Sequence, residues 1–130
     1  MKILSYRYEG LIKFGPKVKK EEAVWDVLAI QETLQVVPSF PETIVEGIAN
    51  GMDFVEQMRK LTDAALKSEE PGQFKHAFST IEWLSPIPRT PKNIIAVGRN
   101  YEDHAKEMGL QSAPENLMVF TKSPTTIAAD

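Results

Sequence analysis

Three prolines within ten residues, Pro86, Pro88 and Pro91 in "LSPIPRTPKN" (84–93), constrain this chain more than any other stretch. Each fixes its own φ, lacks an amide donor and turns the residue before it away from helix. The segment is expected to be extended and stiff, a linker with a different folding grammar on either side. The chain is expected to divide there into a small N-terminal domain, 1–88, and the incomplete beginning of a second domain, 89–130. Its 130 residues leave room for one ordinary domain, or for one small domain plus part of another.

On the N-terminal side, "KILSYRYEGLIKFG" alternates, with Leu4, Tyr6 and Tyr8 on one side and Gly10 and Gly15–Pro16 as punctuation. That pattern predicts short strands or a hairpin. The apolar run "AVWDVLAI" (23–30) is too short to decide between a strand and the start of a helix. Two helices follow. In "SFPETIVEGIANG", Ser39 or Phe40 precedes Pro41, a residue tolerated in a first turn; Ile44, Val45 and Ile48 share a face, and Asn50–Gly51 is a stop signal. Asp53 can cap the second helix, whose apolar stripe is Phe54, Val55, Met58, Leu61, Ala65 and Leu66, and "KSEEPGQ" (67–73) ends it. The expected fold class is α+β, a small N-terminal β-sheet with two helices. His76, in "QFKHAF", has no acidic neighbour nearby in the sequence and reads as a surface or linker residue.

Beyond the prolines the expected order is strand (Asn93–Val97), loop (Gly98–Asn100), helix (Tyr101–Met108), turn (Gly109–Asn116) and strand (Leu117–Thr121). Asn100 is a good N-cap with Asp103 at the third helical position, and Glu102 and Asp103 suit the positive end of the helix dipole. Capping accounts for those three residues and leaves His104, Glu107 and Tyr101. His104 and Glu107 are three apart, which on a helix brings their Cβ atoms to about 5–6 Å. A carboxylate there holds the imidazole in one tautomer and raises its proton affinity, as a general base requires. Lys122 follows the strand "LMVFT" and precedes "SPTT", so its ammonium is expected at the mouth of the same sheet, where it would bind a substrate carboxylate or a developing oxyanion. Arg99 is a further candidate for an anion.

Composition narrows the classes. There are 15 basic and 18 acidic residues, a net charge of −3, and no basic cluster beyond Lys17, Lys19 and Lys20. A nucleic-acid partner is not expected. The chain has no cysteine, which excludes disulfides, thiolate metal sites and a cysteine nucleophile. No window approaches the roughly 18 apolar residues of a membrane span, and "MKILSYRYEG" lacks the apolar core of a signal peptide, so no membrane partner is expected and the cytoplasm is the expected compartment.

The stretch "PRTPKNIIAVGRNYEDHAKEMG", followed by "PENLMVFTKSPTTIAAD", resembles the fumarylacetoacetate hydrolase family. Members show a proline-bearing lead-in, an apolar strand, a G-x-N-Y-x-x-H-x-x-E segment, and then a strand ending in F-x-K-x-P. Gly98, Asn100, Tyr101, His104, Glu107, Phe120, Lys122 and Pro124 fall in place. The likeness covers residues 84 to 130; before it, only the layout of strands followed by two helices is similar. Arg99 departs from the pattern, standing where members more often carry an aliphatic residue, which bears on the pocket wall rather than on a catalytic group.

The resemblance implies a β-rich catalytic domain, of which residues 89–130 are the truncated start, usually assembled as a homodimer and holding Mg²⁺ or Mn²⁺. It implies reactions of 2-oxo or β-dicarbonyl acids: C–C cleavage of acylpyruvates, decarboxylation of oxaloacetate, or isomerisation and hydration of related dienoates. In that reading His104, oriented by Glu107, is the catalytic base, and Tyr101, Lys122 and Arg99 are the substrate-binding residues. The family's metal is held by a Glu-x-Glu pair and a further acid beyond the lysine motif. No Glu-x-Glu occurs here and only Asp130 follows Lys122, so the metal ligands are expected beyond residue 130 and the 130 residues alone are expected to be inactive. Two other readings stay open: a non-catalytic interaction or dimerisation module retaining a relic His–Glu motif, and a small metal-free enzyme using His104 and Glu107.

Overall fold

Glu9 and Gly10 both adopt positive φ, 49° and 81°, the backbone of the two-residue turn that matches the twist of a hairpin. They join β1 (Ile3–Tyr8) to β2 (Leu11–Pro16), paired antiparallel from Ile3 opposite Pro16 to Tyr8 opposite Leu11. The structure is a computed structural model and describes residues 1–98 and 118–124. Its backbone separates into two compact units, one running from Met1 to Pro88 and the other beginning at Arg89.

In the first unit, Gly15 and Pro16 do not break the strand as the sequence suggested; they are its last two residues. Glycine is required at 15 because β3 (Ala23–Trp25) crosses there: a Cβ on Gly15 would lie 1.8 Å from the Trp25 carbonyl oxygen. The ambiguous run 23–30 is both things. Its first three residues are the wholly buried β3, Asp26 caps, and α1 (Val27–Leu34) follows. The Asp26 Oδ1 accepts from the Ala29 amide at 3.0 Å, a side chain meeting one of the orphan donors of a first helical turn. The expected pair of helices is therefore a set of three among the described residues.

α2 (Ile44–Ala49) begins later than Pro41 suggested, because Thr43 and Glu46 form a reciprocal cap with bonds of 3.3 Å each way. α3 (Met52–Lys67) starts after Gly51, held at φ 63°, so Asp53 lies in its first turn and does not cap it. The α3 stripe buries Phe54, Met58, Leu61 and Ala65, while Leu66 stays 59% exposed. These residues join Phe14, Trp25, Val27, Ile30 and Phe74 in one core. Gly47 lets α2 approach, since a Cβ there would sit 2.3 Å from the Phe54 ring.

After α3 the chain crosses back over the sheet. A 3₁₀ turn (Pro71–Phe74) buries Phe74, β4 (Lys75–Ala77) pairs antiparallel with β3, and β5 (Glu82–Trp83) extends the hairpin into a sheet of order β2-β1-β5. Leu84 and Pro86 are tied to Ser5, by the Leu84 amide on the Ser5 carbonyl at 3.1 Å and the Ser5 hydroxyl on the Pro86 carbonyl at 2.7 Å. The first part of the proline stretch is thus pinned to β1. In the second unit, β6 (Ile94–Gly98) and β7 (Met118–Lys122) form an antiparallel pair. The class is α+β, with small antiparallel sheets. No helix among the described residues is long and apolar enough to cross a membrane.

Candidate functional site

The motif that carries the family resemblance is framed by β6 and β7. Their register pairs Ile94 with Lys122, Ile95 with Thr121, Ala96 with Phe120, Val97 with Val119 and Gly98 with Met118. Residues alternate faces along a strand. Ile94, Ala96, Phe120 and Lys122 therefore share one face, and Ile95, Val97, Val119 and Thr121 the other. Phe120 and Lys122, two apart, meet: the Lys122 Nζ lies 5.9 Å from the Phe120 ring centroid, within reach of a cation–π contact. Lys122 is exposed and makes no ion pair with another described residue.

The expectation that Lys122 opens at the same mouth as the segment after β6 needs correction. Lys122 is the last residue of β7, not the first after it, and it sits opposite Ile94. The Arg99–Leu117 segment leaves from Gly98, four steps along the ladder, roughly 13 Å away. The physical reason is antiparallel pairing, which puts the two C-terminal strand ends at opposite ends of the hairpin. His104, Glu107, Tyr101 and Arg99 lie outside the described residues.

A second polar constellation, in the first unit, is one that sequence reasoning missed. Asp26 is 1% exposed, yet its Oδ2 accepts from the Lys13 ammonium at 2.5 Å and from His76 Nε2 at 3.0 Å. His76 is therefore not a surface or linker residue without an acidic neighbour; its carboxylate lies fifty positions away in sequence. β4 carries His76 beside β3, and Asp26 follows β3 directly. Above the imidazole, Tyr8 stacks at 3.9 Å between centroids, and Tyr6 meets it edge-on at 5.9 Å. With Asp26 accepting at Nε2, the neutral ring carries its proton there.

Burial pushes the Asp26 carboxyl up, but hydrogen bonds from Lys13, His76 and the Ala29 amide, with the Lys13 charge, outweigh it and hold it below the usual carboxylate range. The Tyr6 phenol is pushed far above its ordinary value, first by burial and then by the nearby Asp26 charge, and its hydroxyl has no hydrogen-bond partner among the described residues. The constellation ties β2, the α1 cap and β4 together. Its only sequence signal was Asp26, a good capping residue between two apolar runs; the pairing with His76 left no local trace.

Among the described residues, no group of three or more His, Asp or Glu side chains is placed to hold a metal ion. No family model matches the chain. Curated relatives do match along its whole length: a Staphylococcus haemolyticus protein is 40% identical over 132 residues, one from Staphylococcus saprophyticus 41%, and one from Staphylococcus aureus 39%, all described only as uncharacterized. The chain spans 43% of the length of each of these relatives.

Proposed function

We propose that these residues are part of a fumarylacetoacetate-hydrolase-like enzyme that cleaves or decarboxylates 2-oxo or β-dicarbonyl acids. One observation carries the reading: Gly98, Asn100, Tyr101, His104 and Glu107, then Phe120, Lys122 and Pro124, stand at the spacing of that family's motif. The pairing of β6 with β7 is compatible with it, since the strand that leads into the first half of the motif lies beside the strand that carries Phe120 and Lys122.

In this proposal His104 is the base. Glu107 fixes its tautomer and raises its proton affinity, so that it can take a proton from water as hydroxide forms and attacks the carbonyl. In a decarboxylation no water attacks, and the same pair delivers a proton to the enolate carbon. Lys122 binds the substrate carboxylate or the charge that develops as the carbon bond breaks, with Tyr101 and Arg99 lining the site. The family reading also brings Mg²⁺ or Mn²⁺ and a homodimer. The residues at hand do not fit the metal, since neither a Glu-x-Glu pair nor a convergent acidic group is found among those described, so no step is assigned to it. The proposal places its ligands outside these residues and expects this chain to be inactive when assayed alone.

The test is a substrate panel on the complete gene product, with Mn²⁺ present, following loss of oxaloacetate and of an acylpyruvate. Turnover of at least one of them is expected, and Lys122→Ala should raise KM about tenfold or more, the loss of one charge-assisted contact. Absence of turnover of either compound would overturn the proposal, as would equal turnover by the 130-residue chain.

A non-catalytic interaction module is the second reading, and one observation favours it. The hairpin leaves Ile95 71%, Val119 55%, Val97 45% and Phe120 42% exposed, apolar surface of the kind that marks an interface. Under that reading the complete protein would associate through this hairpin and show no turnover.

A further inference from the structure

The first unit carries a groove that the proposed reaction does not use. It lies where the open end of the β1–β2 hairpin meets the C-terminal half of α3, with a volume of about 570 Å³. Trp25, Val18, Pro16 and Leu66 supply an apolar floor, and Lys2, Lys17, Lys19 and Lys20 stand around it. Hydrogen bonds fix the backbone that carries the lysines. The Lys17 amide donates to the Lys2 carbonyl at 2.8 Å, and the Val18 amide donates to the Ala23 carbonyl at 2.8 Å across the turn carrying Lys19 and Lys20. Lys20 sits at φ 64°, a left-handed conformation that costs a non-glycine residue free energy.

We infer that this groove binds a small organic anion with a single charged head and an apolar tail. Four lysines line the groove in a chain of net charge −3, and the acids beside them offset one of the four. Glu22 is taken by Lys17 at 3.0 Å and Glu21 by Lys75 at 2.7 Å, which leaves Lys2, Lys19 and Lys20 without an ion pair among the described residues. The floor offers no competing polar group, because the Thr62 hydroxyl donates to the carbonyls of its own helix, Met58 at 3.1 Å and Arg59 at 3.0 Å. Charge complementarity therefore calls for an anion at the rim, and the floor calls for hydrocarbon beneath it. The volume is that of a small-ligand cleft. The groove has no arginine and buries its one indole, Trp25 at 4% exposure; these features disfavour nucleic acid, which needs stacking planes.

The test is calorimetric titration of the 130-residue chain at low salt with octanoate and octyl phosphate, against acetate and octanol as probes lacking the tail or the charge. Saturable binding is expected for octanoate or octyl phosphate, at least tenfold tighter than for acetate or octanol, and the tighter of the two names the head group as carboxylate or phosphate. The double variant Lys19→Glu, Lys20→Glu should weaken that binding at least tenfold, and Leu66→Ser severalfold, with melting temperature unchanged. If charge reversal lowers the melting temperature, Lys19→Gln, Lys20→Gln takes its place with the same expected direction. Octanol binding as tightly as octanoate, or charge variants binding within twofold of the parent, would overturn the inference.

Discussion

The first unit and the β6–β7 hairpin treat their apolar residues in opposite ways. From Met1 to Pro88, Tyr6, Val24, Val27, Ile30, Met58 and Leu61 are sealed from solvent, and the polar groups among them, Asp26 above all, are mostly paired. The hairpin shows Ile95 and Val97 on one face and Phe120 on the other. A two-stranded ribbon has too little area to close a core. The comparison teaches that stability and proposed chemistry are held in separate places: the first unit contains its own core, whereas the strands that frame the His104–Glu107 motif need something else to cover them.

The sharpest way to break that contrast is inside the first unit. Gly15→Ala would drive a Cβ to 1.8 Å from the Trp25 carbonyl oxygen, where neither backbone can yield, so a loss of about 4 kcal/mol or more is expected, read as loss of a cooperative melting transition. Asp26→Ala comes next. It leaves Lys13 and His76 facing each other without their shared carboxylate and is expected to cost about 3–5 kcal/mol in urea unfolding.

Acidification tests the same residue. The folded Asp26 carboxyl titrates below its unfolded counterpart, so its contribution is fully present above the unfolded value. It is lost as pH falls through the folded value. The parent should lose stability below about pH 4, the ordinary carboxylate range, and the Asp26→Asn variant should show a shallower slope there.

Thr43→Ala removes one half of the reciprocal cap on α2 and should cost about 1 kcal/mol. Smallest of all, Ile95→Thr on the hairpin should shift the melting transition of the first unit by less than about 0.5 kcal/mol, as surface changes do. Under the proposed interaction-module reading, its effect is instead a reduced association measured by sedimentation. A large loss of stability from Ile95→Thr would erase the contrast between the two regions.

What the sequence disclosed, and what it hid, follows the range of the interactions. Alternation of Leu4, Tyr6 and Tyr8 with Gly10 at the turn was local, and it became a hairpin. The stripe of Phe54, Met58, Leu61 and Ala65 was helical spacing, and it became the buried face of α3. Gly15 was visible as a glycine but read as punctuation, because its reason lies in Trp25, a residue on another strand. The run "AVWDVLAI" was too short to decide between strand and helix because it holds both, three residues of β3 and the start of α1, divided by the Asp26 cap. His76 was misread for the same cause as Gly15: its carboxylate arrives only when β4 pairs with β3. For the candidate site, the irregular spacing of His104, Glu107 and Lys122 was legible, but the antiparallel register that separates Lys122 from the Gly98 end was not.

The measurement that tests the account most directly sets turnover against folding for one substitution in the complete protein. His104→Ala should lower oxo-acid turnover at least a hundredfold, the loss of a general base, with the melting temperature of the first unit unchanged. Turnover within twofold of the parent would contradict the account, because the base would then lie elsewhere.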